Sequence, residues 1–261
     1  MNETQMFRAR MQDLAKRAYQ QNTYTYSGFL TPAQLADFDE IRNGINYMDY
    51  QTFGGVEICE RQMIGFGSEA MFGYEGIWPI AVLLIEPLSM KFAEALSHRD
   101  FLGALMNLGI ERDVCGDILV RDKRAYLFCE ERIAPFIEEH LTKIRHTHVQ
   151  VKILKQGIAQ SDHDLEALED LKPVLEDLSV IVAAPRFDAI IAAVTKQSRS
   201  DVLSHFRAGH VALNGRLCER NALVLKSGDI FSVRGFGKYQ FFGEGVVTRK
   251  GRVHVFLKKY V

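Results

Sequence analysis

RFDAII (186–191) and SRSDVLSHFRAGHVALNGRLCERNALVLKSGDIFSVRGFGKYQF (198–241) are the stretch on which the reading of this chain turns. Ser198 stands three residues before Asp201, the spacing of a capping box. Its hydroxyl accepts the amide of the third helical residue, and that residue's carboxylate reaches back. A helix is therefore expected from Arg199, with Val202, Leu203 and Phe206 on its apolar face and Gly209 just past its end. A shorter helix over 187–194 offers Phe187, Ile190, Ile191 and Val194 to pack against it. Asn214-Gly215, between 211–213 and 217–218, predicts a two-residue hairpin turn, since both residues tolerate positive φ. Lys226-Ser227-Gly228-Asp229 predicts a further turn before a strand over 230–233. Two short helices followed by a small twisted sheet is the expected plan.

Arg186, Lys196, Ser198, Arg199, Ser200, Arg207, His210, Asn214, Arg216, Arg234 and Lys238 fall at the helix entries and hairpin edges of that plan. Singly, each reads as a solvated surface residue. Clustered on one motif, they outline a face for an anion. Amides at a helix N-terminus favour phosphate. An arginine in the first helical turn costs about 0.3–1 kcal/mol against the helix dipole, and an anionic partner removes that cost. The seven cations would supply charge; Ser198, Ser200, His210 and Asn214 would supply hydrogen bonds and backbone geometry. The formal net charge of −1 hides an asymmetry: residues 186–261 hold 14 Lys and Arg against 5 Asp and Glu, and residues 1–185 hold 18 against 28. A basic module on an acidic body is the footprint of a polyanion binder with a defined face.

The same stretch resembles the αL, or S-four, RNA-binding domain, named after a small-subunit ribosomal protein. The recognisable positions fall on Arg186 and Asp188, Ser198 to Ser200, Val211 to Gly215, and Gly228 to Arg234. His210 departs from the pattern, where lysine is common, which makes a phosphate contact there weaker and pH-dependent.

The remainder reads as ordinary globular sequence, 47% hydrophobic and 25% charged over 261 residues. No apolar run reaches the roughly 18 residues of a membrane span, and the start lacks the apolar core of a signal peptide. Cys59, Cys115, Cys129 and Cys218 are scattered, as free and mostly buried thiols of a reducing cytosol would be. An N-terminal α+β domain is expected over 1–76: an amphipathic helix on Phe7, Met11, Leu14, Ala15 and Ala18, then a helix capped by Thr31 with Pro32 and Gln34. A strand over 47–53 should turn at Gly54-Gly55 into a second over 56–59. Over 77–160 the order is a strand at 80–85 ended by Pro87, a helix within 91–108 interrupted near His98, strands at 117–120 and 125–128, a helix at 133–144 and a strand at 148–154. That βαββαβ order predicts a ferredoxin-like domain, as in RNA-recognition motifs. Tyr126 and Phe128 alternate on one strand as base-stacking residues would, but the glycine-aromatic pattern of those motifs is missing. An acidic linker with helical pieces, carrying Asp162, Asp164, Glu166, Glu169, Asp170, Glu176 and Asp177, is expected over 161–183, and the αL module over 184–261. A basic turn at 249–252 should lead into a returning strand over 253–257. The fold class is α+β.

Other chemistry fails on its context. His98-Arg99-Asp100 has no glycine-rich loop, strand lysine or D-F-G to make a kinase; capping a helix or contacting a partner suits it better. Gly65-Phe66-Gly67-Ser68-Glu69-Ala70 sits in no βαβ unit. His146 and His148 lack a third ligand at metal spacing. Gly215-Arg216-Leu217 matches the start of the pseudouridine-synthase motif, but Cys218 stands where the catalytic aspartate belongs. An RNA-modifying enzyme or its accessory subunit is the rival reading. No cofactor or metal is expected.

HRDFLGALMNLGIERDVCGDILV (98–120), with FGGVEICERQ (53–62) and FLTPAQ (29–34), is similar to the YlmH family, and with the C-terminal module the resemblance covers nearly the whole chain. Members are non-enzymatic RNA-binding proteins of bacteria. The resemblance implies binding to ribosomal RNA and peptidyl-tRNA on the large ribosomal subunit, a part in ribosome-associated quality control, and a link to cell division. A cytoplasmic protein, monomeric when free and without a membrane partner, is expected.

Overall fold

Five antiparallel strands, in the order Cys115–Arg121, Arg124–Glu130, Ile77–Pro87, Thr147–Ala159 and Lys143–Ile144, make the sheet on which the first part of the chain is built. The computed structural model describes residues 3–56, 58–159, 171–172, 175–214, 216–249 and 251–260. The architecture is mixed α+β, in two units, Met1–Lys172 and Pro173–Val261. Residues 162–170 of the acidic linker and Gly215 of the hairpin turn, both invoked above, lie outside the described residues.

In the first unit the sheet consists of β4 (Ile77–Pro87), β5 (Cys115–Arg121), β6 (Arg124–Glu130), β7 (Lys143–Ile144) and β8 (Thr147–Ala159). Alternation sends Ala81, Leu83, Ile85, Ala125, Leu127 and Cys129 to one face. There they meet Phe101 and Leu105 of α4 (His98–Asn107) and Ala134 and Ile137 of α5 (Ala134–His140). The other face carries Ile80, Val82, Tyr126 and Phe128. It is covered by Phe29, Val56, Cys59 and Met63 from the N-terminal segment. That segment contributes α1 (Glu3–Gln21), β1 (Thr25–Tyr26), α2 (Pro32–Ile41), β2 (Tyr50–Phe53), β3 (Met63–Phe66) and the single turn α3 (Glu69–Phe72). Its sheet runs β1-β3-β2, and Ile64 and Phe66 pack under Met11, Leu14 and Ala18 of α1. The segments expected as separate domains over 1–76 and 77–160 thus share one core within one unit.

Local expectations hold where caps define them. Thr31 and Gln34 form the capping box that starts α2. Elsewhere the structure corrects the reading. Helix α4 begins at His98 instead of being interrupted there, because Asp100 accepts the amide and hydroxyl of Ser97, at 2.8 and 2.7 Å. The segment before it is loop, held by Lys123 Nζ on the carbonyls of Met90 and Ala93. Helix α5 stops at His140, and 143–144 pairs as strand β7. Val56, Ile58 and Cys59 are not strand: the Cys59 amide donates to the Val56 carbonyl, and Val56 and Cys59 enter the shared core; Glu57 lies outside the described residues. Tyr126 (6% exposed) and Phe128 (0%) are sealed from bases. All four cysteines are free, three of them buried, and burial pushes the Cys115 thiol up to about 11.

Two features seal the covered face. Gly55 has φ +110°, and a Cβ there would lie 2.3 Å from the Phe128 ring. Arg61, 8% exposed, donates to the carbonyls of Cys115 (2.9 Å), Phe29 (3.0 Å) and Arg112 (3.1 Å). Burial, with Arg112 nearby, lowers its pKa. Asp117 in turn accepts the amides of Glu60 and Arg61, and burial raises its carboxyl.

The second unit carries α6 (Phe187–Thr195) and α7 (Arg199–Arg207) against a six-stranded antiparallel sheet that runs, edge to edge, Arg216–Leu217, Val211–Leu213, Ile230–Val233, Gly237–Val247, Val253–Tyr260, Leu175–Val182. Its strands are β9 (Leu175–Val182), β10 (Val211–Leu213), β11 (Arg216–Leu217), β12 (Ile230–Val233), β13 (Gly237–Val247) and β14 (Val253–Tyr260). Phe187 packs edge-on against Phe206 and Phe231, at 5.4 and 5.2 Å between centroids. Part of the expected acidic linker is strand β9, paired along β14 from Leu175↔Tyr260 to Val182↔Val253. Leu178, Val180 and Val182 alternate into the core, a period of two obscured by Glu176 and Asp177.

Gly55→Ala is expected to lower the unfolding free energy by about 2–4 kcal/mol, from overpacking against Phe128 plus the left-handed backbone. Arg61→Met, similar in bulk, removes the donor to the Phe29 carbonyl and the second donor to those of Cys115 and Arg112, which keep the Arg112 guanidinium and the Cys115 amide, and should cost about 1–3 kcal/mol. Chemical denaturation followed through the single tryptophan, Trp78, reads both.

Candidate nucleic-acid interface

Helix α6 is stitched into its unit at its first turn. The Phe187 and Asp188 amides donate to the carbonyls of Leu223 and Asn221, both at 2.9 Å. Arg186, its N-cap, grips the Asp188 carboxylate through Nε (3.1 Å) and Nη2 (2.9 Å). Asp188 is 4% exposed, so this cation neutralises a buried acid. Its charge is engaged within the protein.

The corner between α6 and α7 is built differently. Lys196 ends α6 in left-handed backbone at φ 56°, and its side chain is exposed. Ser198 starts α7: its hydroxyl lies 2.6 Å from the Asp201 carboxylate and 2.7 Å from the Ser200 hydroxyl, and it accepts the Asp201 amide. Arg199 and Ser200 stand exposed in the first turn. Arg207 lies in the last, where a cation suits the helix dipole.

Three residues the sequence did not single out close a seam beside this corner. The His205 ring nitrogen Nε2 lies 3.0 Å from Gln197 Oε1. Its ring is 5.7 Å from that of His210 and 5.6 Å from that of Phe236. The His210 carbonyl accepts the Arg234 amide at 2.9 Å. Lys196, His210 and Arg234 are thereby brought to one region, spanning the helix corner, the start of β10 and the β12–β13 turn. No linear pattern announces Gln197, His205 or Phe236 as partners, since the helix corner and a strand separate them.

The β10–β11 hairpin carries the remaining candidates. Asn214, at φ 49°, donates its side-chain amide to Asp229 Oδ1 (2.8 Å) and accepts the Ile230 amide (2.9 Å). It fixes the hairpin on β12, and Arg216 beyond the turn is exposed. The Lys238 ammonium sits 4.6 Å from the Tyr260 ring, a cation–π contact away from that turn. Among the described residues, Lys196, Arg199, Arg207 and Arg234 form no ion pair. Holding and orienting a polyanion is the chemistry such a surface offers. Among the described residues no cluster of His, Cys, Asp and Glu is able to hold a metal, and no helix is long and apolar enough to cross a membrane.

Residues 78–156, the central sheet with α4 and α5, match the family model described as the putative RNA-binding domain in YlmH. Over 157 residues the chain is 27% identical to the Ribosome-associated protein quality control protein P2 of Bacillus subtilis (strain 168). That match covers 59% of this chain and 58% of the relative, so it spans a little over half of the relative's length. The solved structure of Cell division protein ylmH from Streptococcus pneumoniae has a TM-score of 0.47 at 23% identity, covering 59% of this chain and 93% of that one. The likeness of this chain to YlmH proteins thus rests on its central segment, which matches the RNA-binding-domain model, and on the partial match to the Bacillus protein.

Proposed function

We propose that this protein is a non-enzymatic RNA-binding factor. Its second unit grips folded ribosomal RNA on the large ribosomal subunit, with peptidyl-tRNA as a further contact, during ribosome-associated quality control in the cytoplasm. The observation that carries the reading is the set of exposed cations that form no ion pair among the described residues, Lys196, Arg199, Arg207 and Arg234, carried by α7, the α6–α7 corner and the seam beside it. Cations left without acids are costly to keep together and suit a polyanion. The second unit is read as an αL, S-four-type domain, supported by the capped helix pair and the Asn214 hairpin. The middle of the first unit is read as ferredoxin-like, supported by its strand–helix order and by both helices packing on one sheet face. The ribosomal address rests on the likeness to the Bacillus protein, which is named for ribosome-associated quality control.

Recognition through phosphates and shape, not stacked bases, fits the burial of Tyr126 and Phe128. Of the sequence candidates, Lys196, Arg199, Arg207, Arg216 and Arg234 supply charge in this reading, while Ser198, Ser200, His210 and Asn214 set the backbone that presents it. Arg186 is a structural cation.

Arg199→Glu should weaken binding to purified large ribosomal subunits at least tenfold at 0.1 M salt and lower the salt slope by about one. Its stability should hold or rise by up to about 1 kcal/mol, since an acid suits the start of a helix. Arg186→Ala should show the opposite profile, losing about 1–3 kcal/mol of stability by leaving Asp188 unpaired. Co-sedimentation across a salt series, beside denaturation curves, reads both; equal binding by Arg199→Glu and wild type rules the surface out.

A further inference from the structure

In the first unit, lined by none of the residues assigned above, a cleft of about 410 Å³ runs between α4 and the segment joining α5 to β7. Three observations there bear on what it holds.

The first is Gly103, in the interior of the ten-residue helix α4. Glycine is among the poorest helix formers, and alanine would be better. A Cβ at Gly103 would meet nothing within 4 Å. Packing therefore does not require glycine there, whereas close approach of a ligand backbone does. The second is charge. Arg99, Gly103 and Asn107 are spaced four apart and share one face of α4, which lines the cleft. Lys143 and His140 line it from the other side. Arg99 and Lys143 form no ion pair among the described residues. The third is Arg145, held at φ 53° in the two-residue turn between β7 and β8, a conformation that favours glycine or asparagine. Its Nη1 lies 3.2 Å from Asp100 Oδ1, and the other oxygen of that carboxylate caps α4 through Ser97. Asp100, the acid among the lining residues, is thus occupied twice, and it holds the Arg145 guanidinium at the cleft.

We propose that this cleft is a second RNA site, one that seats a run of backbone phosphates against Gly103 between Arg99, Lys143 and Arg145. It rests on the RNA-binding reading above and assigns the central domain its own contact face, on the helical side of its sheet. A backbone phosphate suits the lining better than an acidic peptide: its guanidinium, ammonium and amide groups come from Arg99, Arg145, Lys143 and Asn107, beside the small or aliphatic Gly103, Ala104, Leu108 and Leu141.

The test uses the full chain titrated with purified large ribosomal subunits over a salt series. Combined Arg99→Glu and Lys143→Glu should lose at least tenfold in affinity and lower the salt slope by about one to two. Gly103→Gln keeps every charge, improves the helix and adds a side chain to the cleft lining; it should lose roughly three- to tenfold while its melting temperature holds or rises. Wild-type affinity in both cleft variants, beside a weakened Arg199→Glu, overturns the cleft and leaves the function standing. Cleft variants that keep RNA binding but release an acidic protein partner overturn it in favour of a peptide site. Wild-type protein that does not bind subunits at all overturns both readings.

Discussion

Both faces of the central sheet are apolar, and neither can be left to water. Helices α4 and α5 cover one face and the N-terminal segment covers the other. Burying a large apolar side chain is worth roughly 1.5–3 kcal/mol, so the two-sided burial of β4 and β6 is what binds residues before 77 to those after it. Much of the local sequence follows from that constraint. Gly55 admits the Phe128 ring, Gly65 lies under Trp78, and Arg61 satisfies three carbonyls where the segments meet. Most of the motif residues at 53–62 and 110–117 are in this way accounted for by packing. Arg99 and Gly103, in the same family-like run, are not.

The covering also decides where nucleic acid can touch the first unit. An open sheet face with Tyr126 and Phe128 on it would present a stacking platform. With that face closed, an RNA contact made by the central domain has to use its helical side or its edges. The chemistry there is cationic and hydrogen-bonding, which suits a backbone rather than a base.

What the sequence disclosed, and what it withheld, follows the range of the interactions. The caps at Thr31 and Ser198 each depend on a residue three positions on, and both were legible. So was the Asn214 hairpin, because positive φ is a property of the residue. Strand β9 was hidden because its outward acids mask an inward alternation of Leu178, Val180 and Val182, and only β14 gives that alternation a partner. The fusion of 1–76 with 77–160 was hidden for the same reason: an apolar face does not say what covers it. At the interface, sequence located the cations but could not tell spent charge from free charge. Arg186 is held by Asp188, two residues away, yet the pair reads as structural only once Asp188 is seen to be buried.

Lys196 and Arg145 show how the two units meet one physical problem alike. Each is a cation at a tight corner in left-handed backbone, at φ 56° and 53°, where a residue other than glycine gives up about 1 kcal/mol. In each case the corner adjoins a capping box, Ser198–Asp201 in one unit and Ser97–Asp100 in the other. The box fixes the first helical turn, and the corner carries the long side chain beside it. A flexible lysine or arginine loses rotamer entropy when it seizes a phosphate. Rooting it in backbone that cannot relax lowers the further ordering that binding demands. The left-handed backbone itself ends α6 in one unit and turns β7 into β8 in the other; that a cation stands there, and not glycine or asparagine, is what the proposed preorganisation of charge accounts for.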